Sequence, residues 1–202
     1  MQIDVSNTKV LDIYHMLVGL VTPRPIAWVS TLSPSGHVNL APFSFYNLFG
    51  ANPPVVIFSP VLRRDGSKKD SLRNVEATGE FVVNGAVARL SEQINLTSRE
   101  LPYGQSEFDL AKLEQAASTK VRPPRVADAP FALECRLRQI VPVGDGPLSA
   151  NLVIGEVVWV HVADELLNQD GLPDPRRVAT VARLGGDDWC HTSDLFSLTR
   201  PR

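Results

Sequence analysis

Residues 22–47 read TPRPIAWVSTLSPSGHVNLAPFSFYN, and the pair of short apolar segments on either side of a turn sets the architecture. Ile26, Ala27, Trp28 and Val29 form a continuous apolar run bounded by Pro23 and Pro25 before it and by Ser33, Pro34, Ser35 and Gly36 after it. A run this short between turn residues predicts a buried strand, with Trp28 in the core. A second short strand follows the turn, and residues 42–47 continue as a polar-aromatic loop. Ser30, Thr31, Asn39 and Ser44 bring small hydroxyl and amide groups into this Pro-bounded segment. That composition suits a ligand taking many backbone hydrogen bonds, and it marks a cofactor cradle.

Beyond this stretch, strand-type runs are predicted at 25–32, 38–41, 55–58, 81–84, 131–142 and 151–163, the last two joined through Gly144, Asp145 and Gly146. Val10, Ile13, Tyr14, Leu17 and Val18 recur at helical spacing, as do Leu72 and Val75 within 67–78, where Gly79 is a stop signal. A further helix is predicted over 86–97. The polar connection 99–125 carries only a weak helical stretch around 110–116, and a connection so long is either functional or covers a partner subunit. Strands with short helices inserted between them predict an all-β antiparallel barrel with peripheral helices, not a doubly wound fold.

The 202 residues are read as one domain, 1–202. A net charge of −2 provides no basic field for nucleic acid, so an anionic ligand has to be held by a local cluster. The two cysteines, Cys135 and Cys190, lack metal or disulfide spacing and are read as free thiols. His15, His37, His161 and His191 are scattered without ligand spacing, so no metal is expected. No apolar run has transmembrane length and the N-terminus does not resemble a signal peptide, so no membrane association and a cytoplasmic location are expected. No GxGxxG, GxxxxGK[ST] or GxSxG motif occurs.

A second constellation lies at residues 58–71. Ser59 ends a strand, and Arg63, Arg64, Lys68 and Lys69 enrich the loop before a helix that Ser67 or Asp70 is placed to cap. Hydroxyls and cations at a helix N-terminus are a phosphate site; taken alone, such a run also reads as a solvated basic turn. The cradle just upstream makes the pair fit one phosphorylated aromatic cofactor. His191, beside Trp189, Cys190 and Asp194, reads either as part of a polar loop or as a site residue.

At these residues the chain resembles the flavin reductase-like proteins with an FMN-binding split barrel. The blocks PRPIAWVST (23–31), NLAPFSFYN (39–47), NPP (52–54), KDS (69–71), EFVVN (80–84), PPRVADAPFALECRL (123–137), GEVVWVHV (155–162), RLGGDDW (183–189) and DLFSLTRP (194–201) follow the family's order. Ser71 stands where the family usually has Thr, Trp189 where it often has Tyr, and His191 where it often has Arg. The resemblance implies a Greek-key split β-barrel, a homodimer, and an FMN at each of two sites. Ser30, Thr31, Asn39, Ala41, Pro42, Phe43 and Ser44 would line the ring and ribityl chain, while Ser59, Arg63, Lys69, Asp70 and Ser71 would surround the phosphate. Arg24 is carried over as either a flavin or a subunit contact, and His191 as a group near the flavin face. Backbone N–H groups of 39–44 would face the ring. The implied activity is NADH- or NADPH-dependent flavin reduction, with hydride passing to flavin N5 and a flavin-dependent monooxygenase or redox protein taking the electrons. A non-catalytic FMN electron carrier reduced by a protein donor is the alternative, and a pyridoxamine-phosphate oxidase-like activity is a third reading.

Overall fold

A computed structural model describes residues 1–201. Its strands, in chain order, are β1 (Arg24–Pro25), β2 (Ala27–Leu32), β3 (Val38–Phe43), β4 (Tyr46–Ala51), β5 (Pro54–Phe58), β6 (Glu80–Asn84), β7 (Gln115–Ala116), β8 (Arg125–Val126), β9 (Phe131–Val143), β10 (Ala150–Val162), β11 (Val181–Arg183) and β12 (Trp189–His191). The helices are α1 (Val10–Leu20), α2 (Asp70–Thr78), α3 (Ser91–Leu96), α4 (Glu107–Ala111) and α5 (Pro175–Val178). Seven strands form one antiparallel sheet in the order β3-β2-β6-β9-β10-β5-β4, and β1, β11 and β12 form a smaller one. This is the predicted β-rich architecture with helices at its periphery.

Side-chain parity on β2 explains its unbroken apolar composition. Ala27 and Val29 pack with Phe43, Phe58, Phe81 and Val153 in one core. Trp28 points the other way, packing with Leu40, Ile94, Phe108 and Val126 in a second. A strand covered on both faces has no polar side to alternate with. The Trp28 indole N–H keeps a partner in this apolar setting by donating to Thr97 Oγ1 at 2.9 Å.

The first core closes around a glycine. Gly155 sits at a register shift between β10 and β9, and a Cβ placed there would lie 2.2 Å from Cζ of the fully buried Phe81. Phe81 in turn meets Phe58 edge-on at 5.2 Å between ring centroids. Helix α2 buries Leu72 and Val75 in the same core. It ends where expected, at Gly79, whose φ of 71° and N–H bond to Val75 O at 2.9 Å give a left-handed cap.

Several boundaries differ from the sequence reading. The segment expected as a loop from 42 to 47 becomes the end of β3 and the start of the edge strand β4, paired with β5 from Tyr46 opposite Phe58. Pairing to β5 satisfies one side of its backbone, while Leu48 and Phe49 remain exposed. The helix expected over 86–97 breaks into a 3-10 turn at Ala88–Leu90 followed by α3. In the long connection the helix comes earlier than 110–116: Ser106 Oγ accepts the Phe108 N–H, and Lys112 at φ 53° stops it. The supposed polar loop around His191 contains β12.

The connection itself is held down by Glu134, which is fully buried on β9. Its carboxylate accepts N–H bonds from Thr119 (2.6 Å), Lys120 (2.5 Å) and Val121 (3.2 Å), and its Oε1 lies 2.6 Å from His161 Nε2 on β10. Burial raises its proton affinity, but the bonds from His161, Thr119 and Lys120 outweigh that and hold it below the ordinary carboxylate value. Cys135 and Cys190 are free thiols, as read from the sequence.

Candidate functional site

Edge strand β3, the N-terminus of α2 and the segment after α3 surround a groove formed by two hollows that meet at Ser98. The first, about 40 Å³, lies among Asn39, Ala41, Arg63, Lys69, Ser71 and Glu100. Helix α2 begins there without a side-chain cap: Lys69 occupies the cap position, and neither Ser67 nor Asp70 serves as the predicted cap. Its first-turn N–H groups therefore have no capping acceptor, which leaves them free to meet an anion. Asn39 Nδ2 donates to Ser71 Oγ at 2.9 Å and ties β3 to this helix end.

The charges here are unevenly matched. Arg63 donates to Lys68 O at 2.6 Å and to Asp70 Oδ2 at 3.3 Å, and its Nε is 3.6 Å from Glu100 Oε1. Arg73 Nη1 takes the other Asp70 oxygen at 3.5 Å. Among the described residues, no carboxylate lies within ion-pair distance of the Lys69 ammonium, which sits 5.7 Å from the centroid of the Phe43 ring. Burial lowers the Lys69 pKa, with the Glu100 charge opposing that shift. Glu107 is buried against the same hollow and accepts the Leu40 N–H at 2.8 Å. Burial pushes its pKa up despite that bond.

The second hollow, about 260 Å³, continues along Pro42 and Ser44 to Tyr14, Asn95, Arg183 and Trp189. Here the Arg183 guanidinium lies over the Trp189 ring, 5.2 Å from its centroid. A third hollow adjoins it across Trp189 and Asn95 and is lined by His191, which is exposed at the end of β12.

The structure thus gathers Asn39, Ala41, Arg63, Lys69, Asp70 and Ser71 around the first hollow and Pro42 and Ser44 around the second. Phe43 lies beneath Lys69, with its ring in the core. Ser30, Thr31, Ser59 and Arg24 make bonds within the protein instead. Ser30 Oγ donates to Pro124 O at 2.5 Å. Thr31 Oγ1 accepts from Asn74 Nδ2 at 3.0 Å, and Ser59 Oγ accepts the Asn151 N–H at 3.2 Å. Arg24 is buried and clasps the end of α1, donating to Val18 O, to Val21 O at 2.8 Å and to Leu184 O at 2.8 Å. Of the backbone N–H groups expected to face a ring, that of Leu40 is taken by Glu107.

Sequence reasoning missed Tyr14, Asn95, Ser98, Glu100, Glu107, Arg183 and Trp189 as lining residues. Only Trp189 and Arg183 carried a signal, inside the RLGGDDW block. Among the described residues no cluster suited to a metal ion occurs, and no helix is long and apolar enough to cross a membrane. A groove with a cationic seat at one end and aromatic and amide groups at the other can hold an elongated ligand with an anionic tail and a flat head.

Comparison with known proteins gives the groove a context. Residues 19–181 match the family model described as flavin reductase like domain. An uncharacterized protein of Halalkalibacterium halodurans is 41% identical over 93% of this chain and 90% of its own length. Nitrilotriacetate monooxygenase component B from Bacillus cereus superposes with a TM-score of 0.92 at 35% identity, covering 98% of each chain. The 2-nitrobenzoate 2-nitroreductase of Pseudomonas fluorescens does so with a TM-score of 0.88 at 31% identity, covering 100% of this chain and 96% of its own. The chain belongs to the flavin reductase-like family, with its split β-barrel, and is a flavin-related oxidoreductase.

Proposed function

We propose that the groove binds FMN, with the phosphate at the Lys69 end and the ring toward Trp189, and that the protein is an NAD(P)H-dependent flavin reductase. The observation that carries this reading is the uncapped N-terminus of α2, with Lys69 paired to no carboxylate among the described residues and Ser71 and Arg63 beside it. Unmatched donors and a partly buried cation are costly unless an anion completes them. When bound, FMN supplies N5 as the acceptor of hydride from nicotinamide.

The protein's own contribution is binding and orientation. Lys69, Arg63 and the first N–H groups of α2 hold the phosphate, and Asn39 orients the Ser71 hydroxyl. Pro42, Ser44, Tyr14 and Trp189 line the space for the ring and keep water from its covered face. The open hollow by His191 is the proposed approach for the nicotinamide. The role of nitrilotriacetate monooxygenase component B suggests a separate monooxygenase as consumer of the reduced flavin. The family match over 19–181 supports one flavin-binding domain across 1–202.

The test is to load the purified protein with FMN and add NADH or NADPH without oxygen. Bleaching of the flavin absorbance within catalytic times is expected. Slow bleaching by both nucleotides, with fast reduction by a redox protein, would replace this reading with that of an electron carrier. A protein that does not bind FMN at all would refute both.

A further inference from the structure

The phosphate seat contains three carboxylates as well as its cations, and only one of them is free to leave. Asp70 is divided between Arg63 and Arg73 on its own helix. Glu107 is buried, fixed by the Leu40 N–H, and shifted by burial toward its neutral form. Glu100 differs on each count. Its side chain is 70% exposed, it lies on a segment that lines the hollow, and among the described residues its one ion pair is a 3.6 Å contact to Arg63 Nε. Its charge also opposes the effect of burial on Lys69, so it acts on both cations of the seat.

We infer that Glu100 is an exchangeable stand-in for the ligand's phosphate: it pairs with Arg63, acts on Lys69 only from beyond ion-pair distance, and must give way when a phosphomonoester enters. This rests on the FMN reading of the groove. With the carboxylate in place the hollow holds about 40 Å³, leaving little room for a phosphate alongside it. Exposed ion pairs of this kind are worth little, so Glu100 yields readily. It nevertheless subtracts its own interaction from every phosphate-bearing ligand, which favours a flavin that exchanges over one held permanently. Glu100 is thereby a specificity residue for the phosphorylated end and contributes nothing to recognition of the ring.

The experiment measures binding of FMN and of riboflavin, which lacks the phosphate, to wild-type, Glu100→Gln and Lys69→Ala proteins, with inorganic phosphate as a competing probe. Glu100→Gln is expected to tighten FMN by about two- to fivefold, the range that an exposed ion pair permits. It should strengthen phosphate competition to a similar extent and leave riboflavin unchanged. Unchanged or weaker FMN binding in Glu100→Gln, or equal tightening of both flavins, overturns the inference. Lys69→Ala separates the two levels of the proposal. If it abolishes the preference for FMN over riboflavin while Glu100→Gln has no effect, the seat stands and the role of Glu100 falls. If it leaves that preference intact, the seat is wrong and this inference falls with it.

Discussion

Replacing Glu134 with Gln should destabilise the protein far more than a one-atom change suggests. The carboxylate sits at zero exposure and accepts three backbone N–H bonds, with His161 Nε2 at 2.6 Å. An amide has one acceptor oxygen. If its NH2 takes the Oε2 position it points at the N–H groups of Lys120 and Val121. If it takes the Oε1 position, it can donate to a neutral His161 but still faces the Thr119 N–H. Either orientation loses at least one charge-assisted bond and leaves a buried donor unmatched, so the cost is on the order of 2 to 4 kcal/mol. Urea unfolding gives the size of the loss. Hydrogen exchange gives its place: the amides of Thr119, Lys120 and Val121 should exchange faster in the variant under native conditions, because Glu134 is what holds their loop. A Glu134→Gln variant within about 0.5 kcal/mol of wild type, with unchanged exchange at those three amides, would overturn this role for the carboxylate.

Other expectations follow from the same contacts. Gly155→Ala places a methyl 2.2 Å from the Phe81 ring and should cost about 1 to 3 kcal/mol in urea unfolding; combining it with Phe81→Leu should recover part of the loss, and additive costs would contradict the clash. Acid should weaken the fold through Glu134. Its folded pKa lies below the ordinary 4.5, so its stabilisation is complete above the unfolded value and lost as pH falls through the folded one. Wild type should therefore lose more stability than Glu134→Gln between about pH 5 and pH 3, and parallel losses would count against this. Trp28→Phe removes the bond to Thr97 and should cost about 1 kcal/mol or more in the same unfolding assay, with the Thr97 hydroxyl left without its indole donor.

Much of the fold was legible because burial leaves a pattern. The β2 run, covered on both faces, the long hairpin β9–β10 and the Gly79 stop are dictated by local composition and turn chemistry. Strands β4, β11 and β12 were not legible, since their pairing depends on where β5 and β1 lie in space; β4 mixes Asn, Gly and exposed apolar side chains, and β11 and β12 are only three residues each. The site was half legible for a related reason. Residue type identifies a hydroxyl but not its direction: on β2, Ser30 and Thr31 face Pro124 and Asn74, whereas Asn39 on β3 reaches Ser71. Lys69 and Ser71 could be placed together from sequence because they belong to a helix start, a local feature. Glu100 and Glu107 were missed because only the tertiary path of the long connection returns them to the hollow beside Lys69.

Placement of the flavin phosphate is tested most sharply by a calorimetric titration of FMN and riboflavin into wild-type and Lys69→Ala proteins at fixed salt. Lys69→Ala should weaken FMN by about 10- to 150-fold, the loss of one charge-assisted contact, with riboflavin binding equally to both proteins. Equal affinity of wild type for the two flavins, or FMN affinity unaltered by Lys69→Ala, would contradict a phosphate seat at the N-terminus of α2.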